Sequence, residues 1–206
     1  MQTFQGDDVT VTDTPKSGEF TPHPEGTFLA RCVDVVDLGE KVEAYQNNPK
    51  KLVPKLALVF ATEENREFNG TIEPIPLVAE FSQSMGEKSN LRKFAESWRG
   101  KSYTDADIQQ GVKFGGMAGA YAQISVEHKI SKAGRTYANI KSISPVMKGV
   151  PKPAELGEGY QRPKFLTDRK AQYAAEAATF RVEIGAPPSN DFTAPPKSSA
   201  SDDLPF

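Results

Sequence analysis

The stretch AGAYAQISVEHKI (118–130), followed by SKAG (131–134) and RTYANIKSISPV (135–146), decides the fold. Tyr121, Gln123, Ser125 and Glu127 alternate with Ala122, Ile124, Val126 and His128; Tyr137, Asn139, Lys141 and Ile143 alternate with Thr136, Ala138, Ile140 and Ser142. A period of two marks a strand with one covered face, and a short Gly-containing link between two such runs reads as a hairpin. The chain therefore contains an antiparallel pair.

Upstream, TFLARCVDVVDLG (27–39) is β-branched and stops at a glycine, which predicts a strand. Val35 and Val36 are both apolar, so its inward face switches part-way, as in a strand shared between two sides of a small barrel. LVPKLALVFAT (52–62) predicts a second strand with Leu56, Leu58 and Phe60 on one face and Lys55 opposite, and Pro54 points to an edge or a bulge. EENREFNGTIEPIP reads as a hairpin connection, and PLVAEFSQS (76–84) as the third strand. In SNLRKFAESWRG (89–100) the period changes: Leu91, Phe94, Ala95 and Trp98 predict an amphipathic helix, capped by Ser89 or Asn90 and stopped by Gly100. TDADIQQG (104–111) predicts a second, short helix, and LTDRKAQYAAEAATFRVEIG (166–185) an Ala-rich one begun at Thr167 or Asp168.

The expected fold class is mainly β: a five-stranded OB-fold barrel with a helix between strands 3 and 4, plus a C-terminal helix and a disordered tail. Residues 1–24 read as a flexible arm, 25–148 as the barrel, 149–185 as a surface extension with a helix, and 186–206 as a tail too poor in apolar residues to order itself.

Composition narrows the function classes. The 206 residues carry a net charge of -2 and a single cysteine, Cys32, in an apolar run, so no disulfide framework is available and a reducing compartment is expected. Neither a signal peptide nor a membrane span is visible, and the cytoplasm of a host cell is the expected location. His23 and His128 stand alone, the carboxylates are scattered, and KFGGMAGA (113–120) lacks the Lys-Ser/Thr ending of a phosphate loop; a turn suits it better. No catalysis, metal or cofactor is expected.

Charge is uneven: residues 89–148 hold 10 basic and only 4 acidic groups, which suits a polyanion partner or a solvated basic face. Single-stranded nucleic acid needs cations for phosphates and rings for bases. Lys129, Lys132, Arg135, Tyr137 and Lys141 supply both around the 131–134 turn; Lys41, Tyr45, Lys50, Lys51 and Lys55 supply both around the first connection. These are the two loops that clamp a ligand in an OB barrel. Phe60, Phe81, Phe94 and Trp98 fall on inward positions and read as core, whereas Tyr45 and Tyr137 are candidate stacking platforms.

FLARCVDVVDLG, LALVF, LRKFAESWRG and the final DDLPF together make the chain resemble bacteriophage single-stranded DNA-binding proteins of the OB-fold type. The ending is similar to the acidic tip of bacterial single-stranded DNA-binding proteins, Asp-Asp-Ile-Pro-Phe, with Leu204 in place of Ile. The resemblance implies a protein that coats single-stranded DNA during replication, recombination or repair. It also implies that Asp202, Asp203, Leu204, Pro205 and Phe206 dock partner proteins. A monomer or weak homodimer is expected. The alternative is an OB-fold adaptor or structural protein with no nucleic-acid role, acting through its tail.

Overall fold

β2 (Lys51–Ala61) lies between two neighbours, and from Lys55 to Ala61 every residue is buried. A strand apolar on both faces must be covered on both, and the rest of the chain supplies the two covers. The computed structural model describes residues 22–44, 48–68 and 70–185, and the side chain of residue 68 is not described. The expected arm over 1–21, Tyr45, and the tail with its tip at 202–206 lie outside the described residues.

β1 (Gly26–Glu43), β2, β5 (Leu77–Ser82), β6 (Tyr121–Ile130) and β7 (Thr136–Ser144) form one antiparallel sheet in the order β5-β2-β1-β6-β7. β3 (Asn65–Phe68) and β4 (Thr71–Pro74) form a separate hairpin, with Arg66 paired to Glu73 across the ladder at 2.6 Å. Two features depart from the expected barrel. The segment expected as the third strand is the fifth along the chain, so no helix lies between strands 3 and 4; α1 (Asn90–Arg99) and α2 (Asp105–Gln110) follow β5. The sheet also stays open: its edges, β5 and β7, approach each other without a ladder. The reason is α1, which packs against both edges and puts Leu91, Ala95 and Trp98 into the space that closure would fill.

The inner cover is aromatic. Phe60 meets Trp98 edge-on at 5.2 Å, Phe94 packs on both Phe60 and Phe81, and the indole N–H of Trp98 donates to the Tyr121 carbonyl at 2.9 Å. These are the four rings expected in the core. α1 ends at Gly100, whose φ of 65° is left-handed. The second helix forms as expected, with Thr104 and Asp107 in a capping box. FGGM (114–117) is a 3-10 turn.

The outer cover is α3 (Lys164–Glu183), which begins before Thr167 and Asp168; Asp168 instead pairs with Lys164. α3 buries Leu166, Tyr173 and Ala177, and two of them pack on Val36, Leu38, Ala57 and Val59. The 149–185 segment is thus a structural layer.

β1 serves both covers because it is bulged. Its register against β2 shifts between Cys32 and Asp34 and again between Asp37 and Gly39. Ala30, Cys32 and Val35 face the inner cluster, whereas Val33, Val36 and Leu38 face α3. The adjacent Val35 and Val36 therefore point to opposite sides. The bulges lie on β1 and not at Pro54, which lies just beyond the Lys55–Ser82 rung where the β2–β5 ladder ends, so β2 is an edge there; its carbonyl accepts from the Gln83 N–H at 2.8 Å.

His23, expected in a loose arm, is 1 % exposed. Its Nδ1–H donates to the Pro24 carbonyl, which can only accept, so Nε2 accepts from the Thr62 hydroxyl at 2.6 Å. The His23 carbonyl in turn accepts from His128 Nε2 on β6. Burial holds the His23 pKa below its ordinary value, and Glu64 opposes this while His128 adds to it. Since the unfolded chain binds this proton near pH 6.5, stability from His23 is complete above about pH 6.5 and is lost as pH falls toward the lowered native value. The urea midpoint should drop between pH 7.5 and 5.5. His23→Gln should cost about 1–2 kcal/mol at pH 7.5 and flatten that drop; an unchanged pH slope would place the titration on another group.

Candidate nucleic-acid interface

The turn between β6 and β7 is fixed by its own hydrogen bonds. Gly134 N–H donates to the Ser131 carbonyl, Ser131 N–H to the Arg135 carbonyl, and Arg135 N–H to the Ser131 hydroxyl. Gly134 has φ 75°, the conformation that makes a glycine useful there. Lys132 and Arg135 are exposed on this rigid tip. Behind it, Lys129 pairs in register with Tyr137, and Glu127 with Asn139, so all four lie on the outer face. A register shift on β7 leaves Lys141 as the extra residue, and its ammonium reaches the same face, 4.0 Å from Glu127.

Tyr137 is 40 % exposed with Lys129 beside it, the geometry of a ring that can stack on a base with a cation at the adjoining phosphate. Glu127 sits among these cations: Lys129 reaches it at 3.1 Å and Asn139 at 3.3 Å, and Lys129 above all holds its carboxyl below the usual range. Glu25 accepts from the His128 backbone close by. Four cations, Lys129, Lys132, Arg135 and Lys141, thus face two carboxylates.

The other expected cluster is not one patch with this. Lys41 faces Val53 and Glu43 faces Lys51 at the C-terminal end of β1, whereas β6 pairs with the N-terminal end, Gly26 to Arg31. Lys50 and Lys51 are exposed. Lys41 is engaged, 3.4 Å from Glu43 and 5.7 Å from the centre of the Tyr173 ring. Lys55, expected in the groove, is 8 % exposed and its ammonium is held by Glu43 at 2.8 Å and the Ser82 hydroxyl at 2.9 Å, so it serves the fold. The salt bridge keeps the Glu43 carboxyl below its usual range.

α3 governs which sheet face is available. It covers the outer side of β1, β2 and β5, and ion pairs from Arg169 to Glu80 and from Arg181 to Glu40 tie down its length. Asp34, upstream of α3, is raised by burial but lowered more by Arg162 and the Tyr160 hydroxyl, which fix the approach to the helix. The outer face left open runs over Thr27, Ser125, Glu127, Lys129, Tyr137 and Lys141.

Sequence reading missed Ile130, 75 % exposed beside the basic turn, although an apolar residue in that position was visible in EHKISKAGR. It also missed Arg31, whose guanidinium lies 5.5 Å from the Tyr121 ring centre on the same face, because the β1–β6 register joins residues 90 positions apart. Burial pushes the Cys32 thiol up to about 12, which leaves it protonated and unreactive. Among the described residues, no three His, Cys, Asp or Glu side chains converge on a possible metal position, and no helix is long and apolar enough to cross a membrane. No known family model matches the chain, and no curated protein matches its sequence.

Proposed function

We propose that this protein binds single-stranded DNA without strong sequence preference, along the outer face of the β6–β7 hairpin. The observation that carries this reading is the grouping of Lys129, Lys132, Arg135 and Lys141 around the exposed Tyr137 on the face that α3 leaves open. Phosphates need several cations at the spacing of a chain, and unpaired bases need a ring with no sequence code; the hairpin offers both. A duplex hides its base faces, so Tyr137 favours a single strand.

The strand order β5-β2-β1-β6-β7 supports reading the sheet as an opened barrel of the oligonucleotide-binding kind, with the hairpin turn as one of its two ligand loops. In that reading the exposed Lys50 and Lys51 extend the phosphate path at the other end. Recruitment of replication, recombination or repair proteins belongs to the tip at Asp202 to Phe206, and this part rests on the ending of the sequence alone.

Fluorescence anisotropy with labelled oligo-dT and a matching duplex tests the reading. Single-strand binding should weaken as salt rises, with a log-log slope near 0.7 per phosphate contact. The triple change Lys132→Ala, Arg135→Ala and Tyr137→Ala should lower affinity about tenfold or more and reduce the slope by about 1.4, since two phosphate contacts and the stacking ring are lost. Lys55→Ala is the contrasting variant: it should leave oligonucleotide affinity within about twofold and lower the unfolding midpoint, because it removes the nearer of Glu43's two lysines and the donor to the Ser82 hydroxyl. Equal affinity for single strand and duplex, or a triple variant that binds as well as the parent, would refute the hairpin as the site.

A further inference from the structure

Beside the open face lies a cleft of about 710 Å³, lined by Arg31, Cys32 and Val33 on β1, by Gly119, and by the loop 154–160. Its volume falls within the range of small-ligand sites, about 300–1,000 Å³. The loop is seated firmly: a Cβ on Gly157 would come within 2.4 Å of Val33 Cγ1 and 3.2 Å of Ala61 Cβ, so only glycine lets it rest on the bulge. Pro153 is tied to the sheet by the Tyr121 hydroxyl, which donates to its carbonyl at 2.6 Å.

Arg31 belongs to both places. It forms part of the cleft wall and also lies over Tyr121, which shares the outer face of β6 with Gln123, Ser125, Glu127 and Lys129. Its Nη1 donates to the Ala154 carbonyl at 2.6 Å and its Nε to the Gly119 carbonyl at 3.4 Å, which fixes the guanidinium while leaving more of its five N–H groups for a ligand. From Tyr121 to Lys129 the face is eight residues long, roughly 26 Å at about 3.3 Å per residue, and no outward side chain along it is buried.

We infer that the cleft receives one nucleotide of the strand bound on the hairpin, and that it favours a base bearing an exocyclic amino group; this rests on the strand-binding reading above. Arg31 meets the phosphate or a base carbonyl. The loop adds Glu155 and Glu158 to the lining, which suit an amino donor and disfavour a ligand that is anionic throughout. Cytosine, adenine and guanine carry such a group, and thymine does not.

The test compares labelled oligo-dC and oligo-dT of about twelve nucleotides on the full chain, the Ala154→Trp variant, which fills the cleft from an exposed position, and the Glu158→Lys variant, which replaces an acceptor by a donor. The parent should bind oligo-dC at least about threefold more tightly, and each variant should lose that preference, Ala154→Trp keeping its affinity for oligo-dT and Glu158→Lys raising it through the added positive charge. Urea unfolding of each variant checks that it is folded, and Glu158→Lys stands if Ala154→Trp does not fold. Equal affinities in the parent, or a preference that survives in a folded variant, would overturn the cleft and leave the hairpin standing. No binding to either strand would overturn both.

Discussion

Ala57, Leu58, Val59 and Phe60 are fully buried, two on each side of β2, and this double burial is the constraint on which the fold depends. A single sheet with one wet face would leave Ala57 and Val59 exposed. A sheet closed only on itself would leave them on its outside. Apolar area is worth roughly 25 cal/mol per Å² removed from water, so a strand this apolar rewards a second layer. α1 and its aromatic rings form one layer, and α3 forms the other. The same α1 that fills the inner space keeps β5 and β7 apart.

β1 transmits that constraint along the chain. At 18 residues it is long enough to pair with β2 over its C-terminal part and with β6 over its N-terminal part. The bulge at Val33 shifts the alternation by one, so that Ala30 and Cys32 before it and Val35 after it face the inner cluster while Val36 faces the outer one. It also makes the seat for Gly157, and the segment that follows leads through Tyr160 and Arg162, both bound to Asp34, into α3. A single extra residue in β1 thereby sets where the outer helix begins.

Much of this was legible in the sequence, and the reasons for the rest are physical. β6 and β7 follow from period-two patterning, β1, β2 and β5 from β-branched and apolar runs bounded by turn residues, and α1 from its 3.6-residue spacing. α3 was legible as a helix through its alanines, but its docking was not: only Leu166, Tyr173 and Ala177 are buried over 20 residues, so no apolar stripe announces the contact. His23 was misread for a similar reason. Its surroundings, Pro22 and Pro24, look like a loop, and its burial depends on Thr62 and Phe28, which the fold brings to it. Pro54 was legible as an edge position: it stands where β5 ends and β2 loses its neighbour on that side.

The candidate site shows why counting cations overstates a binding surface. Lys41, Lys55 and Lys129 contribute equally to the charge of the chain, but the fold spends them differently. Lys55 gives its ammonium to Glu43 and a serine under a nearly closed surface, and Lys41 lies between Glu43 and the ring of Tyr173. Lys129 has Glu127, a pair exposed to solvent and screened by it, which an arriving phosphate can replace at little cost. The hairpin cations are therefore available charge, and Lys55 is part of the interior. The helix that covers the β2 side leaves the hairpin cations exposed beside the ring of Tyr137.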